Sequence, residues 1–407
     1  MTHLALHPPP HAVTRRPVRA GAGAVATTVA CVLPVFLVGG LAVQIGADLG
    51  LSPAGLGLLV SVYFGVGALA SVPSGALVER LGPALAARAG ILLSAGSMLA
   101  VAALARSYPM LLALLALGAA ANALGQLASN AALVRHVPAR RQGLSFGVKQ
   151  AAIPVSTLLA GLAVPTVAVT AGWRWAFVAG ALAALAALPA VPRGEARPPR
   201  ATGGRRTGGA AWGLVVVGVA ATLAAAAANA LGTFLVDSAA DRGLSPGLAG
   251  LTLTLGSAVC VIARVGAGWL ADRRDGGHVA VIAGMLVVGA AGLTLLAVSG
   301  TAPLVAGVLL GFGLGWAWPG LMNFAVVRLH PAAPAAATSI TQTGVYAGGC
   351  LGPLALGATA AGFGYPTMWL AAAVAMLLAA ALMLTATRLL AGPTSAPAPA
   401  SRPRLAD

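Results

Sequence analysis

Long apolar stretches without a two-residue alternation dominate the chain. Stretches such as Val25 to Ile45 and Leu214 to Leu235 reach the roughly 20 residues that a helix needs to cross a hydrocarbon core of about 30 Å. An outer-membrane barrel requires alternating strands of roughly ten residues, so the pattern excludes that architecture. The sequence therefore predicts an all-α polytopic membrane protein.

Twelve such stretches divide the chain into two halves. The predicted spans are 22–46, 54–78, 87–105, 108–134, 143–168, 173–192, 211–236, 246–270, 279–298, 302–327, 335–359 and 364–390. They form an N-terminal six-helix bundle over 22–192 and a C-terminal six-helix bundle over 211–390. The Arg-, Gly- and Pro-rich stretch 193–210 predicts a cytoplasmic linker, and residues 1–21 and 391–407 predict disordered cytoplasmic tails.

Composition and charge agree with this architecture. Only 8% of the residues are charged, against about 25% in soluble domains, so a water-soluble globule is excluded. Nineteen arginines fall on the face that holds both termini, whereas the other face holds three, Arg106, Arg174 and Arg242. The positive-inside rule then predicts a multi-pass protein of the cytoplasmic (plasma) membrane with both termini in the cytoplasm. It also explains the net charge of +16 without a nucleic-acid partner.

The chain carries no pattern typical of a metal site, a cofactor site or an enzyme. Its three cysteines, Cys31, Cys260 and Cys350, fall in three different spans without metal-ligand spacing. No Gly-rich phosphate loop ending in Gly-Lys-Ser/Thr occurs, so ATP hydrolysis is not expected. We expect a small-molecule substrate and the lipid bilayer as the partners of this chain.

The two halves repeat one another. Gly50-Leu51-Ser52-Pro53 recurs as Gly243-Leu244-Ser245-Pro246, an offset of 193 residues, and other matched motifs keep this offset to within one residue. Six helices in each repeat give both halves the same orientation in the membrane. Such pseudo-symmetric bundles place the functional site at the repeat interface, near the middle of the bilayer.

At the loop after the second span, the sequence resembles the major facilitator superfamily. The motif comprises Gly75, Glu79, Arg80 and Gly82, and its second copy comprises Gly268, Asp272 and Arg273. The resemblance extends over nearly all of 22–390 and implies a secondary carrier that works by alternating access, with these residues as gating contacts. It further implies that Glu79 faces the start of the eleventh helix and Asp272 the start of the fifth. Gly75 and Gly268 would allow close helix approach.

Two cations lie inside predicted spans: Lys149, the only lysine of the chain, and Arg264. No carboxylate lies deep in a span and every histidine lies in a tail or cytoplasmic loop, so the usual proton relay has no obvious residue. An uncompensated intramembrane cation costs roughly 2.5–3.5 kcal/mol on insertion scales. We therefore predict that both cations bind a small organic anion. Snorkelling of their long side chains toward the headgroups is the alternative.

The eighth span supports the same hypothesis by a second resemblance. Arg264-x-x-x-Gly268-Trp269-x-x-Asp272 is similar to helix eight of the oxalate/formate antiporter and monocarboxylate transporter branches. This similarity implies that Arg264 binds a substrate carboxylate.

Further polar and aromatic residues predict the wall of a cavity. Gln150, Gln342 and Tyr346 are expected to orient the substrate, and Trp316 is expected to line the cavity. In a regular helix only one of Trp316 and Trp318 can face inward. Two other functions remain open: a proton-linked exporter of drugs or other amphipathic compounds, and a membrane sensor or scaffold that does not transport.

Overall fold

A computed structural model of the protein describes residues 11–137, 141–191, 211–330 and 334–390. The helices are α1 (His11–Gly40, continued by Ala42–Leu49), α2 (Pro53–Leu81), α3 (Pro83–Leu104), α4 (Tyr108–His136), α5 (Gln142–Ala163, continued by a π-helical turn at Val164–Ala168 and by Val169–Ala171), α6 (Trp173–Ala186), α7 (Ala211–Asp241), α8 (Pro246–Ala271), α9 (His278–Ala297) and α10 (Thr301–Leu310, a π-helical turn at Gly311–Gly315, then Trp318–Leu329). The last helical stretch, Pro334–Leu390, is divided by the non-helical Gly364 into α11 (334–363) and α12 (365–390).

The predicted all-α membrane architecture is confirmed. Eleven helices of the described ranges are long and apolar enough to cross a membrane, and the last of them, Ile340–Leu389, contains the break at Gly364. A helix therefore corresponds to each of the twelve predicted spans. The predicted linker 193–210 and the C-terminal tail 391–407 lie outside the described residues.

Two helices begin earlier than the hydrophobic pattern predicts. Helix α1 begins at His11, inside the predicted tail, because apolar residues mark where a helix enters the hydrocarbon and not where its hydrogen bonding starts. Helix α3 begins at Pro83 because Gly82 has φ 84° and separates it from α2, and proline suits a first helical position.

The repeated Gly-Leu-Ser-Pro motif forms the same helix start in both halves. Gly50 and Gly243 have φ values of 68° and 90°, a conformation that favours glycine. Pro53 and Pro246 then occupy the first turns of α2 and α8. In the first copy, Ser52 Oγ accepts a hydrogen bond of 3.1 Å from a backbone N–H of the first turn. In both halves, the Gly-Leu-Ser-Pro motif thus forms a tight turn and starts the helix that follows.

The two ends of the bundle differ in charge. The end where α2 meets α3 and α8 meets α9 is called here the arginine-rich end. Among the described residues it carries Arg19, Arg80, Arg88, Arg141, Arg273, Arg274, Arg328 and Arg388. The opposite end carries Arg106, Arg174 and Arg242. There Asp48 joins α1 to α6, because its carboxylate accepts hydrogen bonds from Trp173 Nε1 at 3.0 Å and from Arg174 at 2.7 Å. These two hydrogen bonds lower the pKa of Asp48 below its ordinary 3.8.

A lowered carboxyl pKa makes this contact pH-dependent. The ionised Asp48 stabilises the fold above the pKa of the unfolded chain, about 4, and the contribution is lost as the pH falls through the folded-state pKa. We expect Asp48→Asn to lower the unfolding temperature at pH 7 and the difference to shrink below about pH 4. Asp241→Asn, at the same end, controls for the loss of one negative charge. If Asp48→Asn lowers the unfolding temperature by the same amount at all pH values, the stabilising role assigned to the ionised carboxylate is contradicted.

Candidate functional site

A cavity of about 750 Å³ lies between the two halves, within the size range of small-molecule sites. Its walls come from α1, α2, α4 and α5 of the N-terminal half and from α7, α8, α10 and α11 of the C-terminal half. This is the repeat interface at which the sequence predicts the functional site. All six residues predicted to contact a substrate line the cavity: Lys149, Gln150, Arg264, Trp316, Gln342 and Tyr346.

The Arg264 side chain pairs with two backbone carbonyls that the helices leave free. Its Nε and Nη2 donate to the Trp316 carbonyl at 3.1 and 2.7 Å, and its Nη1 donates to the Gln150 carbonyl at 2.5 Å. The Gln150 carbonyl cannot accept a helical hydrogen bond from position 154, because Pro154 has no N–H. Trp316 lies at the break in α10, directly after the π-helical turn. The buried guanidinium thus has hydrogen-bond partners within the protein, although these carbonyls carry no negative charge.

Lys149 is held by a carboxamide of the neighbouring helix. Its Nζ donates to Gln126 Oε1 of α4, and the side chain is 3% exposed. Because Lys149 and Arg264 are both buried and bonded inside the bundle, neither snorkels to the headgroups.

Helix α4 presents a row of amides that the sequence analysis missed. Asn122, Gln126 and Asn130 all line the cavity, and their spacing of four residues places them on one face of the helix. This row extends over about 12 Å, at 1.5 Å per residue. In the sequence, this row is recognisable because amide side chains recur every four residues in a helix that is otherwise rich in Ala and Leu.

Both tryptophans of α10 face inward, so the expectation that only one can do so is wrong. Trp316 and Trp318 are 4% and 1% exposed and both line the cavity. The expectation assumed a regular helix, whereas the π-helical turn Gly311–Gly315 precedes Trp316 and the helix restarts at Trp318. Trp316 also stacks edge-on against Phe36 of α1 and so contacts the other half.

At the arginine-rich end, α5 and α8 are tightly joined. A Cβ atom added at Gly268 would lie 2.8 Å from the Gly143 carbonyl oxygen and 3.1 Å from the Gly147 Cα. The Asp272 carboxylate accepts hydrogen bonds of 3.1 and 3.0 Å from the backbone N–H groups of Gly143 and Leu144, in the first turn of α5. The position expected for Asp272 and the close approach expected at Gly268 are thus present.

Helices α2 and α11, in contrast, are separated at this end. No described atom lies within 4 Å of a Cβ added at Gly75, so the described residues make no close approach there. Leu69 and Val72 line the cavity and are 81% and 82% exposed. Toward the opposite end the same helices meet, since a Cβ at Gly57 would lie 3.2 Å from the Gly357 Cα. The cavity therefore opens at the arginine-rich end, between α2 and α11.

The remaining predicted gating residues lie at this end as well. Glu79 and Arg80 are exposed on α2, and the side chains at 334–336, at the start of α11, lie outside the described residues. Gly82 forms the turn into α3. The Arg273 guanidinium lies 3.5 Å from the centre of the Trp269 ring, a cation–π contact at the surface.

The chain is similar to known proteins over most of its length. The Chloramphenicol resistance protein of Streptomyces lividans is 31% identical over 383 residues, which cover 90% of this chain and 95% of that protein. The human organic anion transporter MFSD10 (TETRAN) superposes with a TM-score of 0.68 at 17% identity, over 92% of this chain and 100% of that chain. A bacterial homologue of the human lysosomal transporter Spinster, in an inward-facing and unoccupied conformation, superposes with a TM-score of 0.72 at 16% identity, over 94% and 99%.

The two structural similarities concern the fold alone at this level of identity. The narrower resemblance to the oxalate/formate antiporter and monocarboxylate transporter branches stays a prediction. The sequence model of the Major Facilitator Superfamily matches residues 24–218 and 217–406, one match for each repeat. Together with the twelve helices and the cavity between the repeats, these matches show that the protein belongs to the major facilitator superfamily of membrane transporters.

Proposed function

We propose that the protein exports amphipathic organic compounds from the cytoplasm. The observation that carries this proposal is the composition of the cavity wall. Aromatic rings from four helices, those of Phe36, Phe64, Trp316, Trp318 and Tyr346, are combined there with the neutral amides of α4. Apolar and aromatic walls with a few polar groups are typical of sites for organic molecules.

The positive charges of the cavity do not require an anionic substrate. Arg264 pairs with two backbone carbonyls and Lys149 with Gln126. The 31% identity to a chloramphenicol resistance protein over 90% of the chain supports the same substrate class, because chloramphenicol is a neutral amphipathic molecule.

We infer that the arginine-rich end faces the cytoplasm, in accordance with the positive-inside rule. The opening between α2 and α11 then admits substrate from the cytoplasmic side. Release to the outside requires that these helices approach each other at this end and separate at the other. The close α5–α8 contact is expected to guide this rocking, with Asp272 and Gly268 as its gating residues.

Transport of a small organic anion is the second candidate. The observation that favours it is that both Lys149 and Arg264 line the cavity, whereas none of the described lining residues is Asp or Glu. An anion would enter a site of net positive charge, although it would compete with the existing hydrogen bonds of both cations.

Uptake into proteoliposomes distinguishes the candidates. We expect labelled chloramphenicol to accumulate by counterflow in vesicles that contain the protein, and an excess of formate, oxalate or lactate not to compete. In cells, expression is expected to reduce chloramphenicol accumulation several-fold. Exchange of carboxylates that is lost in Lys149→Gln would favour the anion carrier. Folded protein that moves no compound of either class would contradict both and favour a sensor or scaffold.

A further inference from the structure

Three polar side chains in the cavity wall contain buried atoms without a hydrogen-bond partner among the described residues. These atoms are Asn122 Oδ1, Gln150 Oε1 and Trp318 Nε1. The side chains are 2%, 7% and 1% exposed, and all three line the cavity. Buried polar groups in native proteins are nearly always paired, since an unpaired group loses its hydration without compensation. Three unpaired groups on one cavity indicate a place prepared for the polar part of a ligand.

Two of these side chains, those of Gln150 and Trp318, belong to helices that Arg264 joins through the backbone. Its guanidinium binds the backbone carbonyls of Gln150 and Trp316, which joins α5 to α10 at this level. Trp318 is two residues beyond Trp316, at the restart of α10. A Cβ added at Gly320 in the same turn would lie 3.3 Å from the Gly147 Cα of α5.

The third side chain approaches from α4. Asn122 lies one helical turn from Gln126, which accepts the hydrogen bond from Lys149. Lys149 directly precedes Gln150 on α5. Asn122, Lys149, Gln150 and Trp318 all line the part of the cavity wall that α4, α5 and α10 form, and we call them the head-group subsite.

We propose that the head-group subsite binds a neutral group that carries hydroxyl or amide N–H donors. The carboxamide oxygens of Asn122 and Gln150 can only accept hydrogen bonds, and a carboxylate has no proton to give them. The indole N–H of Trp318 needs an acceptor. A hydroxyl or a secondary amide offers a donor and an acceptor on neighbouring atoms, and Lys149 can donate to a further oxygen of the same group.

This inference rests on the proposed export of amphipathic compounds and adds which of them are recognised. It also sets their orientation. The polar end lies against α4, α5 and α10, whereas the apolar end extends toward Phe64, Leu69 and Val72 of α2, at the opening. Formate and oxalate lack both the donors and the apolar end.

Binding measurements with a matched pair of compounds test the inference. Chloramphenicol carries two hydroxyl groups and an amide N–H, and its di-O-acetyl ester lacks both hydroxyl donors. We expect purified full-length protein to bind chloramphenicol about tenfold more tightly than the ester. This factor corresponds to the loss of about one hydrogen bond between uncharged groups. Equilibrium dialysis with labelled compounds measures both constants.

Variants connect this preference to the named side chains. Asn122→Leu and Gln150→Met are expected to weaken chloramphenicol binding about tenfold each and to leave binding of the ester unchanged. Trp318→Phe keeps an aromatic ring but removes the N–H donor together with the five-membered part of the indole. Its unfolding temperature is therefore measured alongside binding, so that loss of the donor is distinguished from loss of packing. Thr385→Leu, at an exposed position on α12 outside the cavity lining, is the control and is expected to bind both compounds normally.

The outcomes separate this inference from the proposed function. If both compounds bind equally and the variants weaken them equally or not at all, the donor-specific subsite is wrong, whereas export of amphipathic compounds stands. If oxalate or formate displaces chloramphenicol competitively, the subsite recognises an anion and the inference is overturned. If folded protein binds neither compound, both the inference and the proposed function are wrong.

Discussion

Replacement of Arg264 with methionine is expected to abolish transport and to destabilise the protein. Methionine fills part of the same volume but leaves the carbonyls of Gln150 and Trp316 buried without a donor. Each unpaired buried carbonyl costs about 1–3 kcal/mol, so we expect a loss of about 3 kcal/mol in the free energy of unfolding. Denaturant unfolding in detergent and counterflow uptake measure the two effects.

A second substitution in α5 tests the cause of this loss. Pro154→Ala restores a backbone N–H that can donate to the Gln150 carbonyl within the helix. The double variant Arg264→Met/Pro154→Ala is therefore expected to regain about half of the lost stability, and the two changes are expected to be non-additive. Arg264→Lys is the charge-matched control, since one ammonium group cannot bridge both carbonyls as a guanidinium does.

Two results would contradict this role of Arg264. If the effects of Pro154→Ala and Arg264→Met simply add, the Gln150 carbonyl does not depend on the guanidinium. If Arg264→Met keeps full stability but loses uptake of carboxylates, the residue acts on the substrate and the anion carrier becomes the better candidate.

The glycines of the repeated loop motif are expected to respond differently to leucine. Gly268→Leu forces a side chain into the backbone of Gly143 and Gly147, so we expect a loss of about 3 kcal/mol in stability together with loss of transport. Gly75→Leu meets open space between α2 and α11 and is expected to leave the unfolding temperature unchanged. It is nevertheless expected to block transport, because closure of this end requires α2 to approach α11.

The comparison of stability with transport makes the test specific. Gly266→Leu, an exposed position on α8 with open space around it, is the control and is expected to change neither quantity. Full transport by Gly75→Leu would show that α2 and α11 do not close at this end. Normal stability of Gly268→Leu would show that α5 and α8 can move apart at this contact.

The sequence by itself determined the membrane architecture. Apolar length and the repeated Gly-Leu-Ser-Pro motif are local properties, because each span must satisfy its own backbone hydrogen bonds within the bilayer. The same reasoning located the six predicted site residues at the repeat interface, where all of them line the cavity. Polar residues inside a membrane span are costly and therefore rare, so they stand out in the sequence even when their neighbours in space are unknown.

The partners of these residues were decided only by the tertiary structure. In the sequence, Lys149 and Arg264 look alike, because each is a cation inside a span that contains no acid at a similar depth. Their hydrogen bonds go to an amide of α4 and to two backbone carbonyls, and the sequence does not indicate which carbonyls two different helices leave free near one another. The inward orientation of both Trp316 and Trp318 likewise depends on a π-helical turn that periodicity does not predict. Local patterns fix where a polar group enters the membrane, whereas packing between distant helices fixes what it binds.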